Sequence, residues 1–238
     1  MTTSTSPTIL PEWLLMTGQP GSGKTTAVKK LVNFLQSHGK ECRGFYTDEV
    51  LDPKTKSRIG FDVVTVPDGK RGILSRKAGF GLQTKHKTGL YFVDVNSFEA
   101  IALPSLQKTS TRKSPLGPNP KKQKLSDSKK RRESGSHHEH DDFIMVLDEI
   151  GRMELHSTAF SDLVRDLLGN QSPANTGTNR LVGAITAPIY GHRVPFCDEV
   201  ASRNGVEVHK LTKKTRDAVI QDVLESIQDR GWVERERK

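Results

Sequence analysis

Cysteine is almost absent from this chain of 238 residues, which carries only Cys42 and Cys197. Two thiols cannot build the disulfide framework of a small secreted scaffold, and they offer no zinc-ligand spacing. Long apolar runs are absent as well. No stretch approaches the ~20 residues that a membrane-spanning helix needs. The opening MTTSTSPTIL has neither the basic start nor the apolar run of a secretory signal. These absences predict a soluble, intracellular, cytoplasmic protein that makes no membrane contact. Hydrophobic residues are also few, at 33%. That is low for a compact fold, and the shortage is local.

Residues 108–142 account for it. They are rich in Ser, Pro, Lys, Asn and His, with almost no large apolar residue. Such a segment cannot bury enough surface to offset its ordering entropy, so disorder is expected. Ten Lys/Arg against five Asp/Glu give it more than half of the chain's net charge of +9. The rest of the chain is only mildly basic, which alone does not argue for nucleic acid. Lys121, Lys122 and Lys124, then Lys129 to Arg132, resemble a nuclear-import or nucleic-acid patch. A solubilising charge run explains them as well, and no aromatic interleaving marks a single-strand platform. His137, His138 and His140 beside Asp141 and Asp142 could hold a transition metal, but a polar tract is the simpler reading.

The remaining chain alternates strand and helix. Strands are expected at 12–17, 42–48, 58–66, 71–75, 90–95, 143–150, 181–186 and 206–211. Pro67-Asp68-Gly69 should turn 58–66 back onto 71–75 as a hairpin. Helices are expected at 24–37, 98–107, about 156–168, near 195–203 and 215–228. In the first of them Ala27, Val28, Leu31, Phe34 and Leu35 share a face, and Gly39 terminates it. Ser97 is placed to cap the second. Alternation of this kind implies an α/β fold, a mostly parallel sheet with helices on both faces in three layers. One domain over 12–230 fits the length. It is interrupted by the insert 108–142 and flanked by a disordered tail, 1–11, and a charged tail, 231–238.

Gly18-Gln19-Pro20-Gly21-Ser22-Gly23-Lys24-Thr25 reads G-x-x-x-x-G-K-[ST], the phosphate-binding P-loop, between a strand and a helix. Glycines let backbone N–H groups curl around phosphate oxygens, and the helix aims its positive end at the anion. Lys24 can reach the β and γ phosphates, and the Thr25 hydroxyl can ligate magnesium. At the end of the apolar strand 143–147 stand Asp148 and Glu149. Asp148 suits magnesium, and Glu149 suits the orientation and deprotonation of an attacking water. Transition-state charge calls for a further cation, and Arg58, Arg71, Arg76 and Arg152 are the candidates. Thr186, ending the strand 181–186, could contact the γ-phosphate or the water.

Four blocks carry a resemblance: TGQPGSGKTT (17–26), GFYTDEV (44–50), RIGFDVVT (58–65) with LSR (74–76), and LDEIGRMEL (147–155). The chain resembles the cancer-related nucleoside-triphosphatase family, whose archaeal and bacterial members are the thermophilic nucleoside triphosphatases. The likeness covers most of residues 12–228, and the second and fourth blocks are its specific part. It implies a single P-loop NTPase domain and slow, magnesium-dependent release of phosphate from ATP, GTP and other triphosphates. Nucleotide contacts carry over to residues 18–25 and to Ile144 to Gly151, including Asp148, Glu149, Ile150 and Gly151, with Glu149 as catalytic carboxylate. The eleven N-terminal residues and the basic insert depart from the family pattern. A nucleotide or small-molecule kinase on the same fold is an alternative. So is a nucleic-acid-associated regulatory ATPase recruited through the insert. The oligomeric state stays open, with a monomer the simplest case.

Overall fold

The computed structural model describes residues 12–107, 143–169, 178–188 and 192–234. The expected tail 1–11, the insert 108–142 with its lysine and histidine clusters, and residues 235–238 lie outside that range. The elements run β1 (Glu12–Thr17), α1 (Lys24–Ser37), β2 (Glu41–Leu51), β3 (Arg58–Val66), β4 (Arg71–Lys77), β5 (Lys87–Thr88) and β6 (Tyr91–Val93). Then follow α2 (Val95–Ser105), β7 (Phe143–Ile150), a 3-10 turn (Glu154–His156), α3 (Thr158–Leu168), β8 (Arg180–Ile185), α4 (Pro195–Ala201), β9 (Val206–Lys210) and α5 (Arg216–Asp229).

Among the described residues, nine strands join one sheet in the order β5-β6-β4-β3-β2-β7-β8-β1-β9. Pairing is parallel from β2 to β9 and antiparallel from β2 to β5. The central parallel strands β1, β7 and β8 are apolar on both faces because helices cover both. In β7, Phe143, Met145 and Leu147 enter one core with α2, α3 and α4. Ile144 and Val146 enter the other with α1 and α5. β1 divides the same way, Trp13 and Leu15 against Leu14 and Met16.

Helix ends follow local chemistry. Gly39 (φ 76°) closes α1, and the Lys40 amide returns to the Leu35 carbonyl. Within α1, Ala27, Val28, Leu31 and Leu35 are buried as expected and Phe34 packs half-buried against the same core, its ring against His38, while Val32 is buried in addition. Ser97 does not cap α2. Asp94 does, accepting from the Ser97 amide at 3.0 Å, so the helix starts at Val95 and the strand before it stops at Val93. A carboxylate three residues before an amide is the better-placed acceptor.

The expectation of a charged tail from residue 231 is corrected at its start. Trp232 is fully buried and Val233 nearly so, in the α1–α5 core. The Trp232 indole donates to Glu12 Oε2 at 2.7 Å, tying the end of the fold to its first strand. Trp232→Ala should therefore cost about 3–5 kcal/mol, the usual range for a buried large aromatic. Chemical denaturation measures it, and a loss under 1 kcal/mol would place Trp232 outside the core.

Candidate active site

Parallel strands bring the ends of β1, β7, β8 and β9 to one edge of the sheet, where ligands bind in folds of this type. The register sets Met16 beside Ala184 and Thr17 beside Lys210. The loop leaving β1 thus lies between the segments leaving β8 and β9. Gly23 caps α1 in the left-handed region (φ 96°), and a Cβ there would sit 2.6 Å from Arg216 Cδ of α5. The left-handed conformation requires glycine. No side chain caps the first turn of α1. Its leading N–H groups are left for an anion.

Lys24 Nζ donates to the Gly18 carbonyl at 3.2 Å and pairs with Glu149 Oε2 at 3.3 Å. The other carboxylate oxygen of Glu149 accepts from the Thr186 hydroxyl at 2.7 Å. The structure so joins Lys24, Glu149 and Thr186 from three elements. Between Leu147 and Ile150 the β7–β8 register shifts, three residues of β7 spanning two of β8. A bulge re-aims the side chains that would otherwise alternate across the sheet. It falls on Asp148-Glu149.

Asp148 has no solvent exposure, and neither carboxylate oxygen has a full hydrogen-bond partner. Burial, then the charge of Glu149, pushes its pKa up to about 7, opposed by the Thr25 hydroxyl and the Lys24 and Lys29 ammoniums. Orphaned oxygens on a buried acid beside a threonine hydroxyl suit a hard, oxygen-seeking divalent cation. Asp148 and Thr25 therefore fit magnesium. Among the described residues no cluster of three or more His, Cys, Asp or Glu forms a metal site.

Glu154 was not foreseen. It stands in the 3-10 turn at 3% exposure. Burial, then the charge of Glu149, raises its pKa well above the ordinary range. A Cβ on Gly151 would meet Glu149 Oε1 at 2.7 Å, the Thr186 hydroxyl at 2.8 Å and Glu154 Oε2 at 2.9 Å. Glycine at 151 thus lets these three polar groups pack closely against the backbone. Ile150, by contrast, points into the core.

Each arginine considered for charge stabilisation holds a partner. Arg58 pairs with Glu49. Arg71 bridges Asp48 and Asp62. Arg76 binds Asp62 and the carbonyls of Phe61 and Ser75. Arg152, next to Gly151, donates to the His192 carbonyl at 2.7 Å. On the other flank, toward β9, a cavity of about 490 Å³ adjoins the loop and is lined in part by Gln19, Pro20, Ser22, Pro188 and Leu211.

Comparison with known proteins agrees with this geometry. A family described as NTPase matches residues 13–115 and 129–224. Nucleoside-triphosphatase THEP1 of Aquifex aeolicus is 34% identical over 212 residues, 89% of this chain and 96% of its own. The human cancer-related nucleoside-triphosphatase is 34% identical over 220 residues, covering 90% and 96%. The crystal structure of the Aquifex aeolicus protein superposes with a TM-score of 0.64 over 91% of this chain and 99% of its own, at 30% identity. The solution structure of a human cancer-related nucleoside triphosphatase gives 0.60 over 97% and 100%, at 34% identity.

The buried acid makes stability depend on pH. In the metal-free fold, burial pushes the Asp148 carboxyl up to about 7 from its ordinary 3.8. Across that interval the folded state holds the proton more tightly, so stability falls as pH rises. Asp148→Asn should remove the penalty. In chelator at pH 8 the variant should be more stable than wild type by roughly 2–4 kcal/mol, the advantage vanishing near pH 4. Urea melts at the two pH values measure it, and equal stability at pH 8 would contradict the burial argument.

Proposed function

The chain belongs to the NTPase family and is a nucleoside-triphosphate hydrolase, and we propose that it uses magnesium to release orthophosphate from ATP, GTP and other triphosphates. The convergence of Lys24 and Glu149 at 3.3 Å carries this reading. A phosphate-binding cation and a carboxylate that can take a proton face one space at the end of the P-loop. In the reaction a water oxygen bonds to the γ-phosphorus. The bond from that phosphorus to the bridging oxygen breaks, and the diphosphate departs with the electron pair.

The uncapped first turn of α1 and the Lys24 ammonium hold the phosphate oxygens. Glu149 orients the water and takes its proton. The Thr186 hydroxyl fixes one oxygen of Glu149 and leaves the other toward Lys24. Magnesium, held by the Thr25 hydroxyl and the Asp148 carboxylate, would neutralise charge on the β and γ oxygens. A further cation for the transition state would come most directly from Arg152, which leaves the backbone beside the acidic pair. A kinase reading lacks a support of comparable kind, and phosphate release without any acceptor separates the two.

Glu149→Gln should keep nucleotide affinity and lower kcat by about 10²–10⁴, the range for general acid–base catalysis. Phosphate release from a panel of triphosphates, with and without magnesium, measures it. A kcat within a few-fold of wild type would remove Glu149 as the base.

The basic insert should be dispensable for this chemistry. Its flanks are Gln107, after α2, and Phe143, at the amino end of β7, which pairs with Glu41 at the start of β2. Asp148 stands five residues further along β7, roughly 17 Å at a strand's rise of about 3.3 Å per residue. Replacing residues 110–140 by a short Gly/Ser linker should leave kcat and KM within about three-fold, roughly 0.65 kcal/mol. The nucleic-acid-associated reading predicts instead that DNA or RNA stimulates the intact protein and not this variant.

A further inference from the structure

We infer that the antiparallel half of the sheet, at the edge it shares with Asp148 and Glu149, is a binding surface for single-stranded nucleic acid. This adds a macromolecular partner to the triphosphatase, on a surface built from the fold itself.

The charge of the chain is divided unevenly. Residues 51–91 hold nine Lys/Arg against three Asp, whereas the chain outside them and outside 108–142 holds 18 Lys/Arg against 20 Asp/Glu. The mild average therefore conceals a basic unit on a slightly acidic body. The three acids of that unit are already engaged. Asp62 meets Arg71 and Arg76, Asp68 meets Lys70, and Asp52 accepts from the Lys54 and Thr55 amides. Among the described residues no carboxylate pairs with Lys54, Lys56, Lys77, Lys85 or Lys87. Unpaired ammoniums gathered on one unit attract a polyanion.

Topology brings them to one place. β2 runs parallel to β7, so its end reaches the edge where Asp148 stands. From there β3, β4 and β6 alternate in direction. The turn with Lys54 and Lys56, the end of β4 with Lys77, and the turn before β6 all come to that edge. A row of cations and rings crosses it. The Arg58 guanidinium, which also holds Glu49, lies 5.2 Å from the Phe61 ring centre. The Phe61 and Tyr91 rings are 5.5 Å apart, and Lys77 Nζ stands 5.8 Å from the Tyr91 ring centre. Phe80, three residues beyond Lys77, is 41% exposed.

Rings that stack on bases, among cations that track phosphates, make a single-strand platform. Phe61 and Tyr91 are half-buried in the sheet. They can offer a face to a base but cannot reach into the acyl layer of a bilayer, so the rings favour a nucleic acid over an anionic lipid surface. Paired bases of a duplex keep their faces stacked on one another, so the single strand is the form that fits. Thr88 pairs with Tyr91, and its hydroxyl lies 3.0 Å from His156 Nε2. The platform thus adjoins the turn that follows the catalytic strand.

Fluorescence anisotropy of labelled 15-nucleotide oligo(dT) and oligo(rU), titrated with the full chain across salt concentrations, tests this. Lys54→Gln with Lys77→Gln should lower the slope of log affinity against log salt by roughly 0.7 for each lysine replaced. Tyr91→Leu keeps the bulk but removes the ring. It should weaken binding about tenfold with little change of slope, and Tyr91→Phe should restore the affinity. Phe61→Leu should repeat the loss, and thermal melts confirm that each variant is folded. The lysines of 108–142 are intact throughout, so affinities equal to wild type in all variants would assign binding to them and overturn the inference. It would also fall if the wild type bound neither oligonucleotide, or if Tyr91→Leu and Phe61→Leu bound as wild type while duplex competed equally, because the surface would then read charge alone. Binding to vesicles of phosphatidylcholine and phosphatidylserine that the variants abolish, with no binding of oligonucleotide, would overturn it in favour of a lipid surface.

Discussion

A carboxylate sits without a hydrogen-bond partner at the end of a strand buried on both faces, and the rest of the site is arranged around it. Asp148 is kept from water by the cores above and below β7. Such a group costs the fold free energy whenever it is ionised. The cost is met by packing elsewhere, since Phe143 to Leu147 are buried without interruption. Removing an ordinary strand residue would weaken the core. Asp148 is different in kind: its ionised form costs the fold free energy, which protonation relieves and a bound cation would relieve.

The sequence made part of this legible. Eight residues of P-loop pattern between an apolar run and a helical stripe lead to the observed β1–loop–α1 unit. That unit depends on local backbone chemistry, which local sequence encodes. β7 was equally plain, because a strand covered on both faces reads as an unbroken apolar run. The cap of α2 was missed because Asp94 and Ser97 are both good cap residues, and only the path of the chain after β6 chooses between them. Half of the sheet is antiparallel for a similar reason. Strand pairing beyond the 58–75 hairpin depends on distant partners, such as the β4–β6 contact at Ser75 and Val93.

Glu154 and Trp232 were illegible for another reason. Each lies in a stretch whose composition suggests a surface: a glutamate between Met153 and Leu155 after a glycine, and a tryptophan ahead of VERERK. Burial is a property of the whole fold, and a single charged neighbour hides it. The arginines show the converse. Arg71 and Arg76 lie on β4, and register places both near Asp62 of β3. The basic residue type was readable, but the carboxylate it would meet was set by an antiparallel register with an irregularity between Phe61 and Asp62.

Lys24 draws these threads together. An ammonium has three donors in tetrahedral array. One is spent on the Gly18 carbonyl and one faces Glu149, at 3.2 and 3.3 Å. The third is free to meet a phosphate oxygen without breaking the other two. The lysine can then hold the loop closed, the terminal phosphoryl group near and the carboxylate in place with one charge. Thr186 grips the far oxygen of Glu149, so the carboxylate is fixed from both sides. A group held at two points by packed, buried elements needs little reorganisation when substrate arrives, which is the condition for electrostatic and general-base assistance to lower a barrier. Gly151 completes the arrangement, because a methyl group there would collide with Glu149, Thr186 and Glu154 and push them out of place.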